Sequence, residues 1–99
     1  MLISVVIPCY YSEKTIRKVV ELVMAEFEKN DGYECEFVLV NDGSTDHTFE
    51  EIQKLGAQYP NVCGVNLMRN FGQHNALMAA LHYAKGDYVL GMDDDLQTH

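Results

Sequence analysis

The chain has 99 residues, enough for one domain around one core and too few for a second. Its 47% apolar and 22% charged residues lie in the ordinary globular range, and no run nears the roughly eighteen apolar residues of a membrane span. Fifteen acidic residues against seven basic ones leave a net charge of -8. That charge argues against nucleic acid as a partner and requires an anionic ligand to be met by backbone N–H groups or through a divalent cation.

A first strand is expected over 2–7, a continuous apolar run closed by Pro8 that suits a buried parallel strand. The N-terminus has neither a charged segment nor a cleavage site and reads as that strand, not as a signal peptide. Ile16, Val19, Val20, Val23, Met24 and Phe27 then recur at amphipathic helical spacing, with Ser12 as N-cap and Asn30-Asp31-Gly32 as the stop. Phe37-Val38-Leu39-Val40 forms a second buried strand. The turn Asn41-Asp42-Gly43-Ser44-Thr45-Asp46 supplies a Ser, Thr or Asp cap to a second helix, whose inner face is Phe49, Ile52 and Leu55. Pro60-Asn61 ends it. A third strand over 62–67 follows, then a helix over about 73–84 that turns Ala76, Leu77, Ala80, Leu81 and Ala84 inward. Gly86 stops this helix before a fourth strand, Tyr88-Val89-Leu90. Cys9, Cys35 and Cys63 lack CxxC spacing and are expected to be buried or half-buried reduced thiols of a cytosolic protein. Met68, Met78 and Met92 read as core fillers.

Strict alternation of strand and helix predicts an α/β, Rossmann-like, mostly parallel sheet with right-handed crossovers and helices on both faces. Ligands of such sheets bind beyond the carboxyl ends of the strands, so the residues there are the candidates. The first loop has no GxGxxG and no GxxxxGK[ST], which removes the dinucleotide fingerprint and the P-loop. Asp42 follows a buried strand, where its carboxylate can accept from a nucleobase N–H or ribose hydroxyls, and Gly43 lets the backbone pass close by; Asp42-Gly43 also reads as a tight turn. Asp93, Asp94 and Asp95 crowd three carboxylates that a cation would neutralise, and hard oxygen donors suit Mg²⁺ or Mn²⁺; the bland alternative is a solvated acidic turn. In an extended segment Asp93 and Asp95 share one side and Asp94 takes the other. Arg69 and Asn70 precede a helix N-terminus suited to an anion, although Arg69 has many carboxylates to pair with. His47, His74 and His82 read as surface or packing residues.

Taken together, Val6-Ile7-Pro8-Cys9-Tyr10, Val40-Asn41-Asp42-Gly43-Ser44-Thr45-Asp46, Arg69-Asn70-Phe71-Gly72-Gln73 and Asp93-Asp94-Asp95-Leu96-Gln97 resemble the ordered motifs of family 2 glycosyltransferases with the GT-A fold. The resemblance covers the whole chain. The Arg69-Asn70-Phe71-Gly72-Gln73 and Asp93-Asp94-Asp95-Leu96-Gln97 segments are most similar to the branch that moves sugars onto polyprenyl phosphates, including undecaprenyl-phosphate aminoarabinose transferases and dolichyl-phosphate mannose synthases. It implies that residues 1–99 are the nucleotide-sugar-binding part of a catalytic domain, truncated after the acidic metal motif. Pro8, Tyr10 and Glu13 would line the nucleoside pocket, Asp42 would meet the base, and Asp94 would lie near the ribose or diphosphate. Arg69 and Asn70 join that donor set, and Asp93, Asp95 and Gln97 would contact Mg²⁺ or Mn²⁺. Tyr11 departs from the family pattern, which has Asn there. The implied reaction is inverting transfer from a nucleoside-diphosphate sugar, UDP favoured, to a lipid phosphate at the cytoplasmic face of the inner membrane. No catalytic base is expected among these residues, and the chain alone is expected to be inactive. A non-catalytic nucleotide-sugar or metal-binding module is the alternative, and a sugar nucleotidyltransferase is disfavoured because Pro8-Cys9-Tyr10 stands where a glycine-rich loop belongs. The sheet edge left at the fourth strand is expected to invite a homodimer.

Overall fold

The structure, a computed structural model, describes residues 1–69 and 72–95, without the side chains of 73 and 74. The elements are β1 (Leu2–Cys9), α1 (Ile16–Glu28), β2 (Glu34–Asp42), α2 (Thr48–Gln58), β3 (Val62–Leu67), α3 (Gln73–Leu81) and β4 (Tyr88–Gly91). All pairings are parallel and the strand order is β3-β2-β1-β4. The α/β alternation expected from the sequence is borne out.

Because side chains alternate along a strand, the two central strands feed two cores. Val5, Ile7, Cys9, Phe37 and Leu39 point to one face, where Ile16, Val19 and Val20 of α1 and Ile52 and Leu55 of α2 bury against them. Val6, Val38 and Val40 point to the other, under Ala76 and Ala80 of α3. The small alanines let α3 lie close to the sheet. After β3 the chain reverses, crosses to the α3 face and lays β4 on the free side of β1, as right-handed crossovers require.

Several expectations need correction. β1 runs through Pro8 to Cys9, pairing Pro8 with Val40 and Cys9 with Asn41. Proline is tolerated because the carbonyls of Leu2 and Val6 accept from Asp87 and Met92, so even-numbered residues address the β4 side, and β4 has ended before Pro8. Ser12 is not the N-cap of α1; its carbonyl accepts the Thr15 and Ile16 N–H groups at 3.1 and 3.0 Å, and the helix starts at Ile16 behind Thr15. The third helix ends at Leu81, not near Ala84, and Leu81 is exposed. Met68 and Met78 are exposed: among the described residues nothing covers Met68, 95% exposed just past edge strand β3, and Met78 lies on the outer side of α3; Met92 does pack on the first core. Cys63, on the same edge strand, is exposed as well, while Cys9 is buried and Cys35 half-buried; all are free thiols.

At the amino end of the sheet, β4 is pinned to its neighbours. Leu2 N–H donates to Asp87 Oδ2 at 2.9 Å and Leu2 C=O accepts Asp87 N–H at 2.7 Å. Gly86 N–H donates to the buried Ser4 Oγ at 2.8 Å, and the Ser4 hydroxyl and Lys85 N–H both donate to Glu36 Oε2. This register sets where the carboxyl end of β4 delivers the acidic turn.

Candidate functional site

The order in which strands are added reverses between β1 and β4, so the crevice beyond their carboxyl ends is the topological switch point of this fold. Three segments reach it or border it: loop 10–15 after β1, turn 92–95 after β4 and loop 43–47 after β2.

Pro8 is buried at the end of β1, and Tyr10 and Tyr11 stand half exposed beyond it with ring centroids 4.6 Å apart, edge to face. Tyr11 adopts φ 51°, a left-handed conformation that strains a non-glycine residue and persists only where its surroundings hold it. Its holders lie in loop 43–47: Tyr11 N–H donates to Ser44 Oγ at 3.2 Å, and the Tyr11 and Thr45 hydroxyls are 2.8 Å apart. Loop 43–47 is braced in turn by Asn41, whose Nδ2 donates to Asn66 Oδ1 at 2.8 Å and whose Oδ1 accepts the Ser44 N–H and hydroxyl. Asp42 is 4% exposed at the tip of β2, and Gly43 turns away from it at φ 76°. Asp46 Oδ1 accepts the Thr48 N–H and hydroxyl at 3.0 and 2.6 Å ahead of α2, but the N-cap position is His47, which makes no side-chain cap bond, so the Ser, Thr or Asp N-cap expected from this turn is not formed.

The acidic turn meets loop 10–15 directly. Asp94 Oδ2 accepts the Tyr10 N–H at 2.8 Å, and the Asp94 carbonyl accepts the Thr15 hydroxyl at 2.8 Å. Residues 94 and 95 bend, so the extended-segment geometry expected for the three aspartates stops at Asp93. Burial pushes the Cys9 thiol far up, and the Asp94 charge adds to it, which removes Cys9 as a nucleophile at neutral pH. Among the described residues no three His, Cys, Asp or Glu side chains gather to hold a metal ion.

The structure therefore brings Pro8, Tyr10 and Asp94 together, with Asp93 and Asp95 flanking the last and Asp42 one strand away. Glu13 goes elsewhere: it shares a cleft of about 310 Å³ with His47, Glu50, Glu51 and Lys54, which none of the other expected site residues lines. Arg69 is exposed beyond β3, two strands from β1. Asn70 and Gln97 lie outside the described residues. Sequence reasoning missed Thr15, Ser44, Thr45 and Asn66; Ser44 was legible as an Asx-turn partner of Asn41, whereas Thr15 acts on a carbonyl 79 positions away.

A parallel sheet with this strand order and these polar strand ends is the architecture of the GT-A glycosyltransferases. The chain belongs to glycosyltransferase family 2, whose model, "Glycosyl transferase family 2", matches residues 4–99. It is 41% identical over 98 residues to undecaprenyl-phosphate 4-deoxy-4-formamido-L-arabinose transferase of Edwardsiella ictaluri, covering 97% of this chain and 30% of that protein. It is 40% identical over 97 residues to the prophage bactoprenol glucosyl transferase homolog of Escherichia coli, covering 98% and 31%. The crystal structure of S. aureus TarS 1-349 in complex with UDP superposes with a TM-score of 0.77 at 34% identity, over 96% of this chain and 28% of that one. The chain thus spans about 30% of the length of the curated relatives it matches. Among the described residues no helix is long and apolar enough to cross a membrane.

Proposed function

We propose that this chain forms the donor-binding side of an inverting glycosyltransferase that moves a sugar from a nucleoside-diphosphate sugar, UDP favoured, to a polyprenyl phosphate. The observation that carries the reading is the junction of the acidic turn with the aromatic loop at the switch point, through the Tyr10 N–H and Asp94 Oδ2 at 2.8 Å. Supporting the donor class, TarS, 34% identical here, has been crystallised with UDP and with UDP-GlcNAc. Supporting the acceptor class, the relatives named above carry undecaprenyl phosphate and bactoprenol in their names.

Under this reading Pro8 and Tyr10 wall the nucleoside pocket and Asp42 accepts from the base, with Arg69 and Asn70 in the donor set; Glu13, which lines the separate cleft with His47, is left out of it. Asp93, Asp95 and Gln97 are the residues that would hold Mg²⁺ or Mn²⁺. Their hard oxygen donors fit such an ion, which commonly takes only one or two protein carboxylates and completes its shell with substrate phosphates and water. A pair of carboxylates short of a full cage is consistent with that mode. When bound, the ion supplies positive charge against the departing diphosphate. In a chain of net charge -8, it also offsets the repulsion that a diphosphate would otherwise meet. The buried Asp42 excludes water from its hydrogen bond to the base, and Gly43 leaves room for the close approach.

Isothermal titration of UDP and GDP, with and without Mn²⁺, tests the proposal. UDP is expected to bind with Mn²⁺ present, GDP more weakly, and an Asp93→Ala/Asp95→Ala double variant to lose at least about tenfold in affinity. Failure of both nucleotides to bind sinks it. The same reading places acceptor binding and the catalytic base in the remainder of the longer relatives, at the cytoplasmic face of the inner membrane. These 99 residues alone should therefore transfer no sugar to a lipid phosphate. Tyr88, Val89 and Leu90 on edge strand β4 are all about half exposed, so a second copy can pair there; a constant monomer mass across concentrations in analytical ultracentrifugation would count against the dimer.

A further inference from the structure

We infer that Asp94 and Thr15 are a positioning pair: a two-point clasp that holds the acidic turn against loop 10–15 and so sets Tyr10 relative to Asp93 and Asp95. The inference builds on the donor-site reading but assigns Asp94 a duty toward the protein's own backbone instead of toward the ligand.

Thr15 occupies the N-cap position of α1, where a threonine hydroxyl ordinarily accepts a backbone N–H from the first helical turn. Here it makes no such bond. The hydroxyl is 2.8 Å from the Asp94 carbonyl and only 3.4 Å from the nearby Ser12 carbonyl, so its better contact is the one 79 positions away. At the other end of the same aspartate, Oδ2 accepts the Tyr10 N–H at 2.8 Å. One residue is therefore tied through its carbonyl and through its side chain to two points of a single loop, with no intervening structure. Behind that loop, the strained Tyr11 is tied to Ser44 and Thr45. The clasp thus joins the acidic turn to a segment that is itself anchored to β2. What Asp94 supplies in this arrangement is a hydrogen-bond acceptor; a negative charge is not required of it, which separates it from the carboxylates on either side.

That distinction makes the proposal testable with near-isosteric variants. Asp94→Asn keeps an acceptor and loses the charge, while Asp94→Ala loses both; Thr15→Ser keeps the hydroxyl, while Thr15→Val does not. In UDP titrations with Mn²⁺, Asp94→Ala and Thr15→Val should weaken binding about five- to tenfold, and Asp94→Asn and Thr15→Ser should stay within about twofold of wild type. Hydrogen exchange of the Tyr10 amide, followed by NMR without nucleotide, reads the clasp directly. Exchange should quicken at least about tenfold in Asp94→Ala and stay near wild type in Asp94→Asn, with the β1 amides unchanged in both as proof of folding. Asp94→Asn binding as poorly as Asp94→Ala would overturn the inference in favour of a charge-bearing ligand. Unaltered Tyr10 exchange in Asp94→Ala would overturn it outright. If wild type takes up no UDP, the donor-site reading fails, while the exchange comparison still decides the clasp.

Discussion

Gly86→Ala perturbs the site from its far end. A Cβ at residue 86 would lie 2.6 Å from Ser4 Oγ, 2.7 Å from Ser4 N and 2.9 Å from Leu2 O, and two of those three atoms are backbone of the central strand. Neither residue can yield cheaply, because Ser4 is fully buried and held by Glu36, and Leu2 is paired with Asp87 in both directions. Overpacking of this kind costs about 1–3 kcal/mol, and pushing the turn away forfeits the Gly86 N–H bond to Ser4, roughly another 1 kcal/mol. The expected loss is about 2–4 kcal/mol, a fall in melting temperature of at least roughly 8 °C for a chain of this size. Gly32→Ala is the control: its Cβ meets nothing within 4 Å, but its φ of +91° strains any side chain, so it should cost only about 1 kcal/mol. Thermal and urea unfolding followed by circular dichroism measure both. A Gly86→Ala variant no less stable than Gly32→Ala would refute the steric argument.

Two further outcomes rest on other features. Under native conditions the exposed Cys63 should react with a thiol reagent first, the half-buried Cys35 later and the buried Cys9 only on unfolding; mass spectrometry of timed iodoacetamide labelling reads the order, and early labelling of Cys9 would contradict its burial. His47 should titrate above its ordinary value, chiefly because Nδ1 lies 3.0 Å from Glu50 Oε1, with Glu50, Glu13 and Asp46 adding charge. A raised folded-state pKa gives stability that is complete below the unfolded value and is lost as pH rises through the folded one, a small effect at this exposed site. NMR titration of Glu50→Gln should show the His47 pKa falling back, and an unchanged value would exclude the pairing as the cause.

Where two faces of a strand are buried, sequence and structure agree closely. The apolar runs at β1 and β2, the helical spacing from Ile16 to Phe27 and the small residues of α3 all report burial by many neighbours, and period alone places them. Agreement fails at the edges: Met68 and Cys63 are apolar in type but exposed, because α2 packs on β3 through the Val62 and Gly64 side of the edge strand, a fact about neighbours that no local pattern carries. The apolar run closed by Pro8 predicts a strand end there; the structure continues to Cys9 because the donor that proline lacks is not needed on that side. At the site, Asp42 and the three aspartates were legible from their position after buried strands. Thr15 and Tyr11 were not, since one serves a carbonyl brought near only by β4 and the other owes its backbone conformation to hydroxyls on another loop.

The pairing of β1 with both β2 and β4 also sets an order of assembly. Contacts between β1 and β2 close a loop of 32 residues, whereas those between β1 and β4 close one of 85. On a flexible chain the longer closure costs about 0.9 kcal/mol more entropy, and it must wait until β4 is available. The β1-α1-β2 unit can therefore form on local contacts while the acidic turn is still distant. The residues that bring charge to the switch point then dock after β1 and β2 have paired, onto a surface already built to receive them.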